Sequence, residues 1–168
     1  SDRSFEPAPP AITLLYGFQG ADGGSAGFVN MRSVYSALAP EKQMLFQKLR
    51  GVHELRRSEP ERRTEPQRQS AEHPLVRVHP ETRRKALYLA NDVIARAAGL
   101  HDADSRKLLE QLEAFATLPR FVYAHRWRRG DLLIWDNRCT LHRMTSFEVG
   151  HERTLYRLRV EREAPIAG

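Results

Sequence analysis

The sequence has a single cysteine, Cys139, and no apolar run long enough to span a bilayer. One thiol cannot close an internal disulfide, which fits a reducing cytoplasm. With 40% apolar and 29% charged residues, the 168-residue chain has the material for one core and does not read as a membrane protein. Its first ten residues lack the charged-then-apolar order of a signal peptide, so nothing there directs export. Any run of five or more lysines and arginines is also missing. The net charge is +6 and the pI about 9.9, but 27 basic residues are interleaved with 21 acidic ones. That pattern speaks for solubility or attraction of small anions and makes nucleic acid a poor partner. The arginines of residues 56–68 are the one place where nucleic acid would bind. Gly23, Gly24 and Gly27 crowd one turn, yet no Lys-Ser or Lys-Thr pair follows, which argues against a nucleotide phosphate cradle. No repeat with a period of about 20–50 residues is visible.

What is present centres on Trp135-Asp136-Asn137-Arg138-Cys139-Thr140-Leu141-His142-Arg143 and two later arginines, Arg153 and Arg157. Residues 121–127 alternate apolar and polar, Gly130-Asp131 makes a turn, and residues 132–135 read as a buried strand. His142 is then expected just past a strand end, on a rigid sheet. After a polar loop at residues 146–152, alternation returns over 153–160. On such a strand Tyr156, Leu158 and Val160 share one face, and Arg153, Leu155, Arg157 and Arg159 the other. Arg153 and Arg157 would stand roughly 13 Å apart. Two fixed cations near a histidine can hold two anionic groups; a solvated edge strand with salt-bridged arginines fits the same spacing. Cys139 has no positioned base or orienting acid in the pattern, so it reads as a packed thiol rather than a nucleophile.

Along the chain, residues 1–5 begin abruptly, as a piece of a longer chain would. Residues 6–10 form a proline-rich connector, and residues 11–18 a strongly apolar strand. The glycine turn leads into a short strand ending near Phe28. Asn30 is expected to cap a helix with Val34, Tyr35 and Leu38 on one stripe, and Pro40 to open a second, carrying Met44, Leu45 and Leu49 and ended by Gly51. Residues 56–72 contain no large apolar side chain and cannot build a core, so they form either a mobile lid over a ligand or a solvated insertion. Residues 73–80 and 85–90 make a hairpin; His73 and His79, each followed by proline, read as structural rather than as metal ligands. Residues 93–100 read as a brief helix or turn. Asp102 or Asp104 is expected to cap the best helix, residues 105–117, with Leu108, Leu109, Leu112, Phe115 and Ala116 buried and Pro119 beyond its end. Strands in hairpins with helices between them predict a mainly β fold, a sandwich or barrel decorated by helices.

Taken in order, SDRSF, GGSAGF with the helix NMRSVYSAL, HPLVRVHPETRRKALYL, FVYAHRWRRGDLLIWDNRCTLHR and ERTLYR resemble the taurine and 2,4-dichlorophenoxyacetate dioxygenases, Fe(II)- and 2-oxoglutarate-dependent oxygenases. Within that family the chain looks closest to the aryloxyalkanoate branch. The resemblance implies a double-stranded β-helix, or jelly-roll, core that is incomplete at its N-terminal side, with residues 1–168 the C-terminal portion of one oxygenase domain. It implies an iron site of the two-histidine, one-carboxylate kind. Asp2 matches the carboxylate and His142 the distal histidine. Arg153 matches the arginine that pairs with 2-oxoglutarate, and Arg157 the residue placed to hold an anionic substrate. No catalytic residue beyond the metal ligands is implied. In the family's chemistry dioxygen attacks the keto carbon, succinate and carbon dioxide form, and a nearby C–H is hydroxylated; in the ether-cleaving branch a hemiacetal then collapses to a phenol and an oxo acid.

Two departures from the family pattern carry expectations. The first histidine of its His-x-Asp pair would fall directly before Ser1. The threonine common in the glycine turn is Ala26 here; losing a hydrogen bond to a charged group costs about 1.5–3 kcal/mol, so 2-oxoglutarate should bind roughly ten- to a hundredfold more weakly. Ser25, on the opposite face of its strand, cannot replace it. The expected partners are a small anionic organic substrate of aryloxyalkanoate or sulfonate type and dioxygen, with no membrane, and a homo-oligomer if strand edges are left unpaired. The alternative is a non-catalytic relative that keeps the scaffold and binds an anion or a partner.

Overall fold

The computed structural model describes residues 1–20, 24–55, 69–90, 93–144 and 154–168. Among these residues, four three-stranded antiparallel sheets are formed. In the first, β1 (Pro10–Gln19) lies between β11 (Thr154–Arg162) and β9 (Leu132–Asp136). In the second, β2 (Ser25–Asn30) lies between β8 (Val122–Arg126) and β10 (Thr140–Met144). These two sheets face each other. Leu15, Leu133, Trp135 and Leu155 from the first pack with Phe28 and Met144 from the second around buried Trp127. The arrangement is the mainly β sandwich expected from the hairpin pattern, and the jelly-roll core that the family resemblance implies.

Two smaller sheets and three helices cover the outer face of the second sheet. They are β3 (Arg50–Glu54) between β4 (Ser70–Pro74) and β7 (Ile94–Ala97), and β5 (Val76–Val78) between β6 (Lys85–Leu87) and β12 (Ile166–Ala167). The helices are α1 (Met31–Ser36), α2 (Pro40–Gln47) and α3 (Asp102–Ala116), and a 3₁₀ turn follows at Pro119–Phe121. Val29 and Leu141 leave the second sheet on the side opposite Phe28 and His142. They enter the larger core with Val34, Leu75, Leu87, Leu112 and Ala116. The strand period of two thus divides β2 and β10 between two cores.

Several local expectations hold. Asn30 caps α1, its Oδ1 accepting from the backbone N–H groups of Arg32 and Ser33. The hairpin of β5 and β6 pairs Val76 with Leu87, and Gly130 turns the chain with φ of 88°. Others are corrected. Residues 94–97 are a strand, since β3 offers them an edge to pair with, and residues 70–72 belong to β4 rather than to a loop. Gln69 accepts from the Leu55 backbone N–H, and residues 56–68 of the charged stretch lie outside the described residues. In α2 the buried side chain is Phe46, while Met44 and Leu45 face solvent; the helix ends at the cap Lys48, and Gly51 lies in β3. No side chain caps α3, whose N-cap is His101; Asp102 and Asp104 lie in its first turn, where carboxylates favour the helix dipole. β9 is buried on one face only, with Ile134 61% exposed, and His142 lies within β10 rather than past its end.

Candidate active site

The register across the first sheet sets the site. Thr13 stands directly opposite Arg159 on one side and Trp135 on the other, and Leu15 opposite Arg157 and Leu133. Directly paired residues share a face, so Thr13, Trp135, Arg157 and Arg159 all point between the two sheets. The other face carries Leu14, Tyr16, Ile134, Tyr156, Leu158 and Val160, as the alternation over 153–160 predicts. On the second sheet Phe28 lies opposite both His142 and Tyr123, and Ala26 opposite Met144 and His125. Trp135 bridges the gap, its ring 4.8 Å from that of His142 and 5.4 Å from that of Phe28.

Asp2 enters this space from the N-terminal turn. Its Oδ1 is 3.3 Å from His142 Nε2, and its Oδ2 accepts from Thr13 Oγ1 at 2.8 Å and from Arg159 Nε at 3.1 Å. Arg157 Nη1 stands 4.0 Å from Oδ1. Asn137 holds the assembly from below. Its Oδ1 accepts from the Asp2 backbone N–H at 3.1 Å and from Trp135 Nε1 at 3.0 Å, and its Nδ2 donates to Thr13 Oγ1 at 2.7 Å. An indole nitrogen only donates, which fixes the orientation of the amide; Thr13, already an acceptor, then gives its one proton to Asp2. Burial opposes ionisation of Asp2, but His142, Thr13 and Arg157 outweigh it and hold the carboxyl well below its usual range. Burial also lowers the pKa of His142, against the pull of Asp2. A carboxylate and a neutral imidazole are the protonation states in which both groups bind a metal.

A metal fits these donors. Ligand atoms about 2.1 Å from a metal and at right angles to each other stand about 3.0 Å apart, close to the 3.3 Å found here. The His142 Nδ1 is buried and has no hydrogen-bond partner among the described residues. A second cluster, His79, Asp136 and Cys139, also brings its donor atoms within 4.8 Å of one another. It is poorly suited to a cation. Asp136 accepts from His79 Nε2 and from the backbone N–H, Nε and Nη2 of Arg138, which fills its lone pairs. Cys139 lies in the larger core and its thiol pKa is pushed up by burial, so packing explains it. His73, donating through Nε2 to the carbonyls of Ser4 and Glu6, is likewise structural.

The structure therefore places Asp2, His142 and Arg157 together and buries Ala26 completely, two residues along β2 from Phe28. Arg153 lies outside the described residues. Spacing did not assign Thr13, Asn137 or Arg159 a role in the site; the signals were a threonine in an otherwise apolar strand and the face that Arg159 shares with Arg157. A cleft of about 440 Å³ reaches His142, lined also by Ser1, Val29, Val93, Val122, Leu141 and Arg143. A larger one, about 710 Å³ beside α1, contains neither Asp2 nor His142.

The profile of the family described as "Taurine catabolism dioxygenase TauD, TfdA family" matches residues 1–159. The chain belongs to this TauD/TfdA family. Among its TauD/TfdA relatives, the (S)-phenoxypropionate/alpha-ketoglutarate-dioxygenase of Sphingobium herbicidovorans is 34% identical over 151 residues, covering 82% of this chain and 52% of the relative. The alpha-ketoglutarate-dependent 2,4-dichlorophenoxyacetate dioxygenase of Cupriavidus pinatubonensis is 36% identical over 165 residues, covering 94% and 57%. The crystal structure of AAD-2 in complex with Mn(II) and N-oxalylglycine superposes with a TM-score of 0.83 at 33% identity, covering 100% of this chain and 67% of that one. This TauD/TfdA chain thus spans about half the length of the curated relatives it matches.

Proposed function

We propose that the whole protein is an Fe(II)- and 2-oxoglutarate-dependent dioxygenase that hydroxylates a small anionic substrate of aryloxyalkanoate or sulfonate type. The observation that carries this reading is the 3.3 Å approach of Asp2 Oδ1 to His142 Nε2 in the space between the two sheets, with Arg157 beside them. Asp2 and His142 would hold iron, Arg153 the far carboxylate of 2-oxoglutarate beside Ala26, and Arg157 the anionic group of the substrate. Iron with 2-oxoglutarate supplies oxidation of a C–H bond by dioxygen, with succinate and carbon dioxide as co-products.

The chain's own residues prepare that chemistry. Thr13 and Asn137 fix the Asp2 carboxylate in place before a cation arrives. Trp135 and Phe28 pack on the His142 ring and exclude water from one side of it. Arg157 draws an anion toward the Asp2–His142 pair and limits its orientations. The relatives' names support the aryloxyalkanoate class, and the Mn(II) and N-oxalylglycine of AAD-2 are stand-ins for Fe(II) and a 2-oxo diacid. The test is succinate release by the full-length protein. It should require Fe(II), 2-oxoglutarate and an aryloxyacetate or alkyl sulfonate, and disappear in Arg153→Ala; turnover without 2-oxoglutarate would defeat the proposal.

A further inference from the structure

One row of side chains crosses the first sheet without a break. Trp135, Thr13 and Arg159 are directly opposed on three adjacent strands, and each is tied to Asp2 or to the amide that holds it. The two oxygens of Asp2 are treated differently by this row. Oδ2 accepts from both Thr13 and Arg159, whereas Oδ1 faces the Nε2 of His142. A carboxylate free to rotate can meet a cation through one oxygen or two; here the second oxygen is already taken. Arg159 has no role in the family pattern set out above, and its guanidinium reaches Asp2 more closely than that of Arg157, 3.1 Å against 4.0 Å. The planar fork of arginine suits it to hold one oxygen in a fixed plane, which a lysine ammonium would not.

We propose that Arg159 is a positioning residue: together with Thr13 it occupies Asp2 Oδ2, so that only Oδ1 is presented to the metal. The inference rests on the reading of Asp2 and His142 as metal ligands. Positive charge beside a ligand carboxylate also repels a divalent cation, so positioning and repulsion predict opposite effects of removing it. That opposition makes the idea testable.

The experiment is Mn(II) binding to the full-length protein by calorimetry, with the EPR spectrum of the bound ion. Partners that orient ligands typically contribute about ten- to a hundredfold in metal affinity, so Arg159→Ala and Thr13→Val are each expected to weaken Mn(II) binding about tenfold. Both should change the zero-field splitting as the second oxygen reaches the ion, and Thr13→Ser, which keeps the hydroxyl, should restore the original spectrum. Arg159 is a third exposed, so its truncation leaves the core intact and carries the test if Thr13→Val does not fold. An unchanged EPR spectrum in Arg159→Ala, or tighter Mn(II) binding, overturns the positioning role. Absence of Mn(II) uptake by the unsubstituted protein would instead overturn the metal reading on which it stands.

Discussion

His53 should make the fold acid-labile well above the range in which carboxylates titrate. It is fully buried; its Nδ1 pairs with Ser4 Oγ at 2.9 Å, and its Nε2 has no partner among the described residues. Burial, reinforced by the neighbouring His73, pushes its pKa down to about 3. The native state therefore holds a neutral ring while the unfolded chain takes up a proton near pH 6.5. Stability is complete above pH 6.5 and falls as the pH drops toward 3, by about 1.4 kcal/mol per unit, or about 2 kcal/mol at pH 5. His73, also lowered by burial, acts in the same direction. Urea denaturation of the wild type and of His53→Gln between pH 7.5 and 4.5 measures the slope. The variant should start less stable yet lose about 1.4 kcal/mol less per pH unit below 6. Equal slopes would show that His53 is not the group taking up the proton.

Asn137→Leu should cost about 3 kcal/mol in urea denaturation, because the Asp2 N–H and the Trp135 indole lose their acceptor and Thr13 Oγ1 loses its donor. Ala26→Thr should tighten 2-oxoglutarate about tenfold in titration calorimetry of the metal-loaded protein, by restoring a hydroxyl near the co-substrate. The 168-residue chain alone should elute above monomer size in gel filtration. Tyr156, Leu158, Val160, Leu132 and Ile134 share one exposed apolar face, and Ile134→Lys with Leu158→Lys should return it to monomer.

The strands with clear alternation and the mainly β class were legible in the strand pattern, whereas the jelly-roll came through the family resemblance. Residues 154–160 show why: Tyr156, Leu158 and Val160 alternate with Leu155, Arg157 and Arg159, so the period of two is clear, and Arg157 and Arg159 fall on the inward side where Asp2 meets them. Residues 132–135 were harder. Four apolar residues in a row suggest burial on both faces, but Leu132 and Ile134 face outward, uncovered among the described residues. In residues 93–100 local preference gave no period, and pairing with β3 decided for strand. Met44, Leu45 and Phe46 are adjacent apolar residues on a short helix, and only the packing of α2 against its neighbours shows that Phe46 is the inward one. The candidate ligands were visible through family resemblance, whereas the clamp of Thr13, Asn137 and Arg159 depends on strand register, which spacing within one strand cannot reveal.

The most direct measurement is a crystal structure of the full-length protein grown with Mn(II), with the ion located by its anomalous signal. The account predicts one strong peak bonded to Asp2 Oδ1 and His142 Nε2, with Oδ2 still held by Thr13 and Arg159. A peak at His79, Asp136 and Cys139 with none at Asp2 would contradict it.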